Sequence, residues 1–163
     1  MGAKKESPVL GRFADYAAGL AKADVPSDAL HAAKRCVIDW FASTIRGGLQ
    51  PPATLLIEAY ADSLGRGGAV LYPSGGKADP RTAALINGAA VHTIEFDDIY
   101  RDALYHPGAP VISAALATAQ ARGADGDRLL RSVIAGYEVS NRLGVAVNPA
   151  HYQYWHTTGT IGT

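Results

Sequence analysis

From Leu85 to Pro110 the sequence reads LINGAAVHTIEFDDIYRDALYHPGAP. A small-residue apolar run ends in His92, an acidic group of Glu95, Asp97 and Asp98 follows, and then His106-Pro107-Gly108. Titratable groups crowded at the end of an alanine-rich segment are costly unless they face water, a ligand or one another. A second island, HTTGTIG, begins at His156. Imidazole is the side chain suited to moving protons near neutral pH. His106 stands just before a helix expected from Gly108, where free backbone N–H groups and the helix dipole favour an anion such as a carboxylate. An imidazole at that position can equally do no more than cap the helix. His156 precedes Thr157, Thr158 and Gly159, so a threonine hydroxyl can cap the next helix, and the glycine lets a ligand approach the backbone.

Asp97 and Asp98 can orient an imidazole, hold a water or bind a metal, or they can belong to a solvated loop. His92 and Glu95, three apart, share a helix face, which allows His92 to be a satisfied core histidine. A metal site built from His92, Glu95, Asp97 and His106 is conceivable, yet no compact metal-ligand motif is present, and no metal or cofactor is expected. Gly75-Gly76-Lys77 lacks the spacing of a phosphate loop, and no nucleophile elbow is visible. The aromatic group Tyr152, Tyr154 and Trp155 has no basic patch around it and reads as lid or interface packing.

Composition sets the outer limits. With 163 residues, 48% hydrophobic and 18% charged, the chain suits one globular domain spanning 1–163. Fifteen basic and fifteen acidic residues cancel. No electrostatic footprint for nucleic acid or an anionic membrane surface results. A single cysteine, Cys36, excludes an internal disulfide framework and reads as a small core residue in a reducing compartment. With no secretory pattern and no bilayer-length apolar run, the expected location is cytoplasmic.

The elements that must position these residues are helical. Ser7-Pro8 opens a first helix carrying Leu10, Phe13, Ala17 and Leu20, and Pro26-Ser27 opens a second that Gly47-Gly48 stops. Pro51-Pro52 introduces a short third. The glycine-rich stretch after it reads as a loop with at most an isolated strand at Ala69–Tyr72. Asp79-Pro80 starts a central small-residue helix through Val91, and Pro107 and Pro110 frame another that ends at Gly123. Asp125 caps a long helix broken at Asn148-Pro149, with Glu138 and Arg142 spaced to pair on one face. The expected class is all-α, with at least six helices.

The segments AALINGAAVHTIEFDD, HPGAPVISAALATA, GADGDRLLRSVIAGYEVSNRLG and HTTGTIG resemble, in order and approximate spacing, those of the MmgE/PrpD family. That family includes 2-methylcitrate dehydratases, cis-aconitate decarboxylases and iminodisuccinate epimerases. LGRFADYAAGL and AAKRCVIDWFAST are similar to its first two helices. The resemblance implies the first part of a large helical domain, and dehydration or decarboxylation of a small di- or tricarboxylic acid without a metal. It also implies His106, His156 and Asp97 as catalytic groups, with Glu95, Asp98, Thr157 and Gly159 around the substrate. A homodimer or a complementary second subunit is the implied partner. Epimerisation of a dicarboxylate, or a non-catalytic helical subunit or relic, are the alternatives. Glu95 stands where many relatives have aspartate, and Ile99 where a threonine is common. Family members are far longer, and their downstream lysines and tyrosine lie outside this sequence.

Overall fold

A computed structural model describes residues 8–162, so the capping role expected of Ser7 lies outside the described residues. Among the described residues seven α-helices follow one another: α1 Pro8–Gly19, α2 Ser27–Gly47, α3 Ala53–Ala59, α4 Pro80–His92, α5 Gly108–Arg122, α6 Gly126–Val147 and α7 Thr157–Ile161. The all-α reading holds. Helix starts fall where the capping chemistry puts them. The Asp79 carboxylate accepts the N–H groups of Arg81 and Thr82 at the head of α4, and Asp125 accepts that of Arg128 at the head of α6. Gly123 ends α5 in the left-handed conformation. Glu138 and Arg142 form the expected ion pair on α6.

The glycine-rich segment departs from expectation. Instead of an isolated strand it forms a two-stranded antiparallel hairpin, β1 Ala69–Val70 with β2 Lys77–Ala78. Side chains of the flanking helices supply what so short a ladder lacks. Asn87 of α4 donates to the Val70 carbonyl and accepts the Tyr72 N–H, while Gln120 of α5 accepts the Val70 N–H and donates to the Tyr72 hydroxyl.

Helix α4 is the centre of the molecule, packed between α2 and α5. Its small residues permit this. Any Cβ on Gly47 of α2 would strike the Ala90 carbonyl of α4, and one on Gly88 would lie 3.3 Å from the Ala109 carbonyl of α5. Ala83, Ile86, Ala90 and Val91 are fully buried, as a central helix requires, and Leu85 at its edge is 46% exposed. The core joins Trp40, Val91, Ile112 and Val133, with the Trp40 indole N–H donating to Ser113. Cys36 packs half-buried against this cluster, as expected.

Candidate functional site

The C-terminus of α4 delivers His92 to a turn that Glu95 makes possible by adopting a left-handed backbone, φ 52°. That conformation is uncommon for a residue with a side chain and reverses the chain at once. Asp97 is thereby carried back beneath His92. After a short 3-10 turn at Arg101–Ala103, Leu104 is again left-handed, and Tyr100 and Tyr105 pair backbone to backbone. This closes a loop that delivers His106 to the same place, in front of α5. His156 arrives from the other end of the chain, in front of α7. Two hydrogen bonds hold that end in register: the His106 N–H donates to the Thr158 hydroxyl at 3.0 Å, and Asn148 at the end of α6 donates to the Thr157 hydroxyl at 2.9 Å.

Three imidazoles result, packed in a triangle. Ring centroids are 4.6 Å apart for His92 and His106, 5.8 Å for His106 and His156, and 5.9 Å for His92 and His156. The Asp97 side chain, 1% exposed, lies against two of them. His92 Nδ1 sits astride its two oxygens at 3.1 and 3.3 Å. His106 Nδ1 is 3.4 Å from Oδ1, near enough for charge attraction but not aligned for a hydrogen bond, so that buried nitrogen is without a hydrogen-bond partner among the described residues. Hydrogen bonding to Asp97 raises the His92 pKa, against an opposing effect of burial, and Asp97 and Glu95 add attraction. His156 moves the other way, lowered first by burial and then by the neighbouring His106 and His92. Its Nδ1 accepts the Thr158 N–H at 3.2 Å, so the neutral ring carries its proton on Nε2.

The remaining expected site residues divide. Glu95 stands at the rim, its side chain 72% exposed and 3.9 Å from His92 Nε2. Gly159 lines a cavity of about 510 Å³ together with His92, Gly88, Pro110 and Thr158, and a Cβ there would press against the Trp155 indole nitrogen. A larger groove of about 800 Å³ between α5 and α6 carries none of the histidines. Asp98 is placed differently from its neighbour: it accepts the Gly108 N–H at 3.0 Å and the Tyr137 hydroxyl at 2.9 Å. The first amide of α5, expected to be open to an anion, is therefore already occupied by the protein's own carboxylate. Burial raises the Asp98 pKa, and the two hydrogen bonds offset part of that rise. Thr157 is fully buried, its hydroxyl engaged by Asn148, and it is Thr158 that reaches toward His106. The cap of α7 is the His156 ring rather than a threonine hydroxyl.

Sequence reasoning joined His92 to Asp97 and His106 only as a conceivable metal set, gave Thr158 only a capping role, and missed Tyr137 and Asn148. The spacing of His92 from Asp97 brings the two side chains together only with the reversal at Glu95. His92, Asp97 and His106 offer ligand atoms within 4.8 Å of one another, which is the spacing that could hold a cation. Chemically the arrangement supplies a buried negative charge, imidazoles tuned in opposite directions and an adjoining apolar cavity.

Comparison with known proteins places these features. The MmgE/PrpD N-terminal domain matches residues 11–163. Cis-aconitate decarboxylase of Aspergillus terreus is 28% identical over 164 residues, covering 96% of this chain and 34% of that protein. Cis-aconitate decarboxylase-like protein oryM of Aspergillus oryzae is 25% identical over 167 residues, covering 97% of this chain and 35% of that protein. The chain thus spans about a third of the length of the curated relatives it matches.

Proposed function

Since the chain belongs to the MmgE/PrpD family through its N-terminal domain, we propose that it provides the imidazole side of a lyase site acting on a small di- or tricarboxylic acid. The reaction is dehydration or decarboxylation. In the first, a base takes a proton from the carbon beside a carboxylate while an acid protonates the departing hydroxyl. In the second, the electron pair left on carbon by departing carbon dioxide is taken up by a proton. Both need positive or hydrogen-bond-donating groups against carboxylates and a group that exchanges a proton near neutrality. The observation that carries this reading is the triangle of His92, His106 and His156, with the buried Asp97 against the first two. His106 and His156 are the catalytic pair in this reading, Asp97 supports them, and Glu95 and Gly159 border the substrate.

In this reading activity belongs to the complete assembly, in which a complementary chain or the family's C-terminal region supplies the rest of the carboxylate-binding surface. Epimerisation of a dicarboxylate is the second reading. It is favoured by imidazoles shifted in opposite directions, which suits removing a proton from one face of a carbon and returning it to the other. Incubating the assembly with di- and tricarboxylic acids and following carbon dioxide, water loss and optical rotation separates the reactions. In that assembly His106→Ala and His156→Ala should each lower turnover by ~10²–10⁴-fold with helicity unchanged. Normal turnover in both variants would overturn the proposal.

A further inference from the structure

Asp97 is a nearly inaccessible carboxylate flanked by two imidazoles, yet it serves them unequally. His92 Nδ1 spans both of its oxygens, whereas His106 Nδ1 stands close by without an aligned hydrogen bond. A buried carboxylate requires a compensating charge, and the titratable groups packed around it are few. Glu95 and Asp98 come from the same loop, His106 from the segment before α5 and His156 from the segment before α7, with Tyr152 beyond His156 at 5.3 Å ring to ring. None of these is a lysine or an arginine. One imidazolium is enough to balance Asp97, and the geometry gives that place to His92.

We propose that His92 is a positioning residue that holds the compensating proton against Asp97, so that His106 is left unengaged and able to exchange a proton with substrate. This deepens the lyase reading and rests on it for what His106 does. The charge assignment itself is a property of the free chain. His92 is 28% exposed at its side chain against 9% for His106, so it is also the ring better able to keep a charge in contact with water.

The test is a pH titration of the side-chain ¹⁵N and ¹H resonances of all five histidines in the full chain, needing no substrate. In wild type, the His92 midpoint should lie above that of a free imidazole, and Asp97→Asn should lower it by about one pH unit or more. In His92→Gln, which keeps a hydrogen-bond donor but no titrating proton, the uncompensated Asp97 should fall to His106, raising its midpoint by a similar amount. A side chain that merely fills space would leave the His106 midpoint where it was, and that result overturns the proposal. If His92→Gln does not fold, the wild-type and Asp97→Asn titrations decide. A His92 midpoint unchanged by Asp97→Asn rejects the assignment. So does a stoichiometric divalent metal in the purified chain whose removal releases both imidazoles. Loss of turnover with His106→Ala alongside an unmoved His106 midpoint in His92→Gln would leave the lyase reading standing and remove only this one.

Discussion

Asp97 and Asp98 are consecutive carboxylates with different surroundings, and what each receives decides its use. Asp97 meets two imidazoles; Asp98 receives the Gly108 N–H and the Tyr137 hydroxyl, and its own N–H donates to Asp39. Asp98 therefore locks the start of α5 to α6 while Asp97 serves the histidines. Tyr137→Phe removes one donor from a buried carboxylate and should destabilise the fold by ~1–3 kcal/mol in urea unfolding. It should also raise the Asp98 pKa further, because the lost hydrogen bond is one of those holding it down. His92 yields a pH prediction of definite sign. Its pKa is raised in the fold, so its contribution to stability is complete below the ordinary imidazole value of about 6.5 and is lost as pH rises through the folded value. The stability difference between wild type and His92→Gln should therefore be larger at pH 5.5 than at pH 8. An equal difference at both pH values, measured by denaturant titration, would contradict the pairing.

At the scale of elements, glycine separates positions that serve packing from positions that do not. Gly47 ends α2 against the Ala90 carbonyl of α4, so Gly47→Ala sets a methyl group against backbone that has no room to give. A loss of ~1–3 kcal/mol is expected from thermal or urea unfolding. Gly126, the first residue of α6, has open space around it, and Gly126→Ala should be neutral or stabilising by ~0.4–1 kcal/mol. Helix boundaries were legible in the sequence because their causes are local: Asp79, Asp125, Gly123 and the prolines act within a turn of where they stand. The hairpin was not, because Ala69–Val70 and Lys77–Ala78 are held by Asn87 and Gln120 from remote helices. The histidine cluster was half legible. His106 and His156 announce themselves by motif, and the resemblance to a family joins them, but His92 enters only through the left-handed turn at Glu95. No residue type at that position signals such a conformation, since glutamate there has no glycine-like preference.

Over the whole molecule, a set of large apolar side chains stands in water. Ile38, Leu49, Leu55, Phe96, Tyr154 and Trp155 are each more than half exposed, from 57% to 86%. Phe96 adjoins Asp97, and Tyr154 and Trp155 precede His156, so part of this surface borders the site. Burying a side chain of this kind contributes about 1.5–3 kcal/mol. Together these six amount to on the order of 10 kcal/mol before costs, against about 4–15 kcal/mol for the freedom lost on association. The two are comparable, so burying these side chains does not by itself fix the strength of an association, and the expectation of a second copy or a complementary chain rests on measurement. If the chain does associate, its sedimentation coefficient should rise with concentration over a range of about 1–50 µM, where a complex of about −6 to −8 kcal/mol forms. Phe96→Ser with Trp155→Ser should weaken association while leaving the far-ultraviolet circular dichroism unchanged, because neither side chain belongs to the buried clusters. A compact monomer throughout that range, binding no hydrophobic dye, would mean that these side chains are tolerated in water and need no partner.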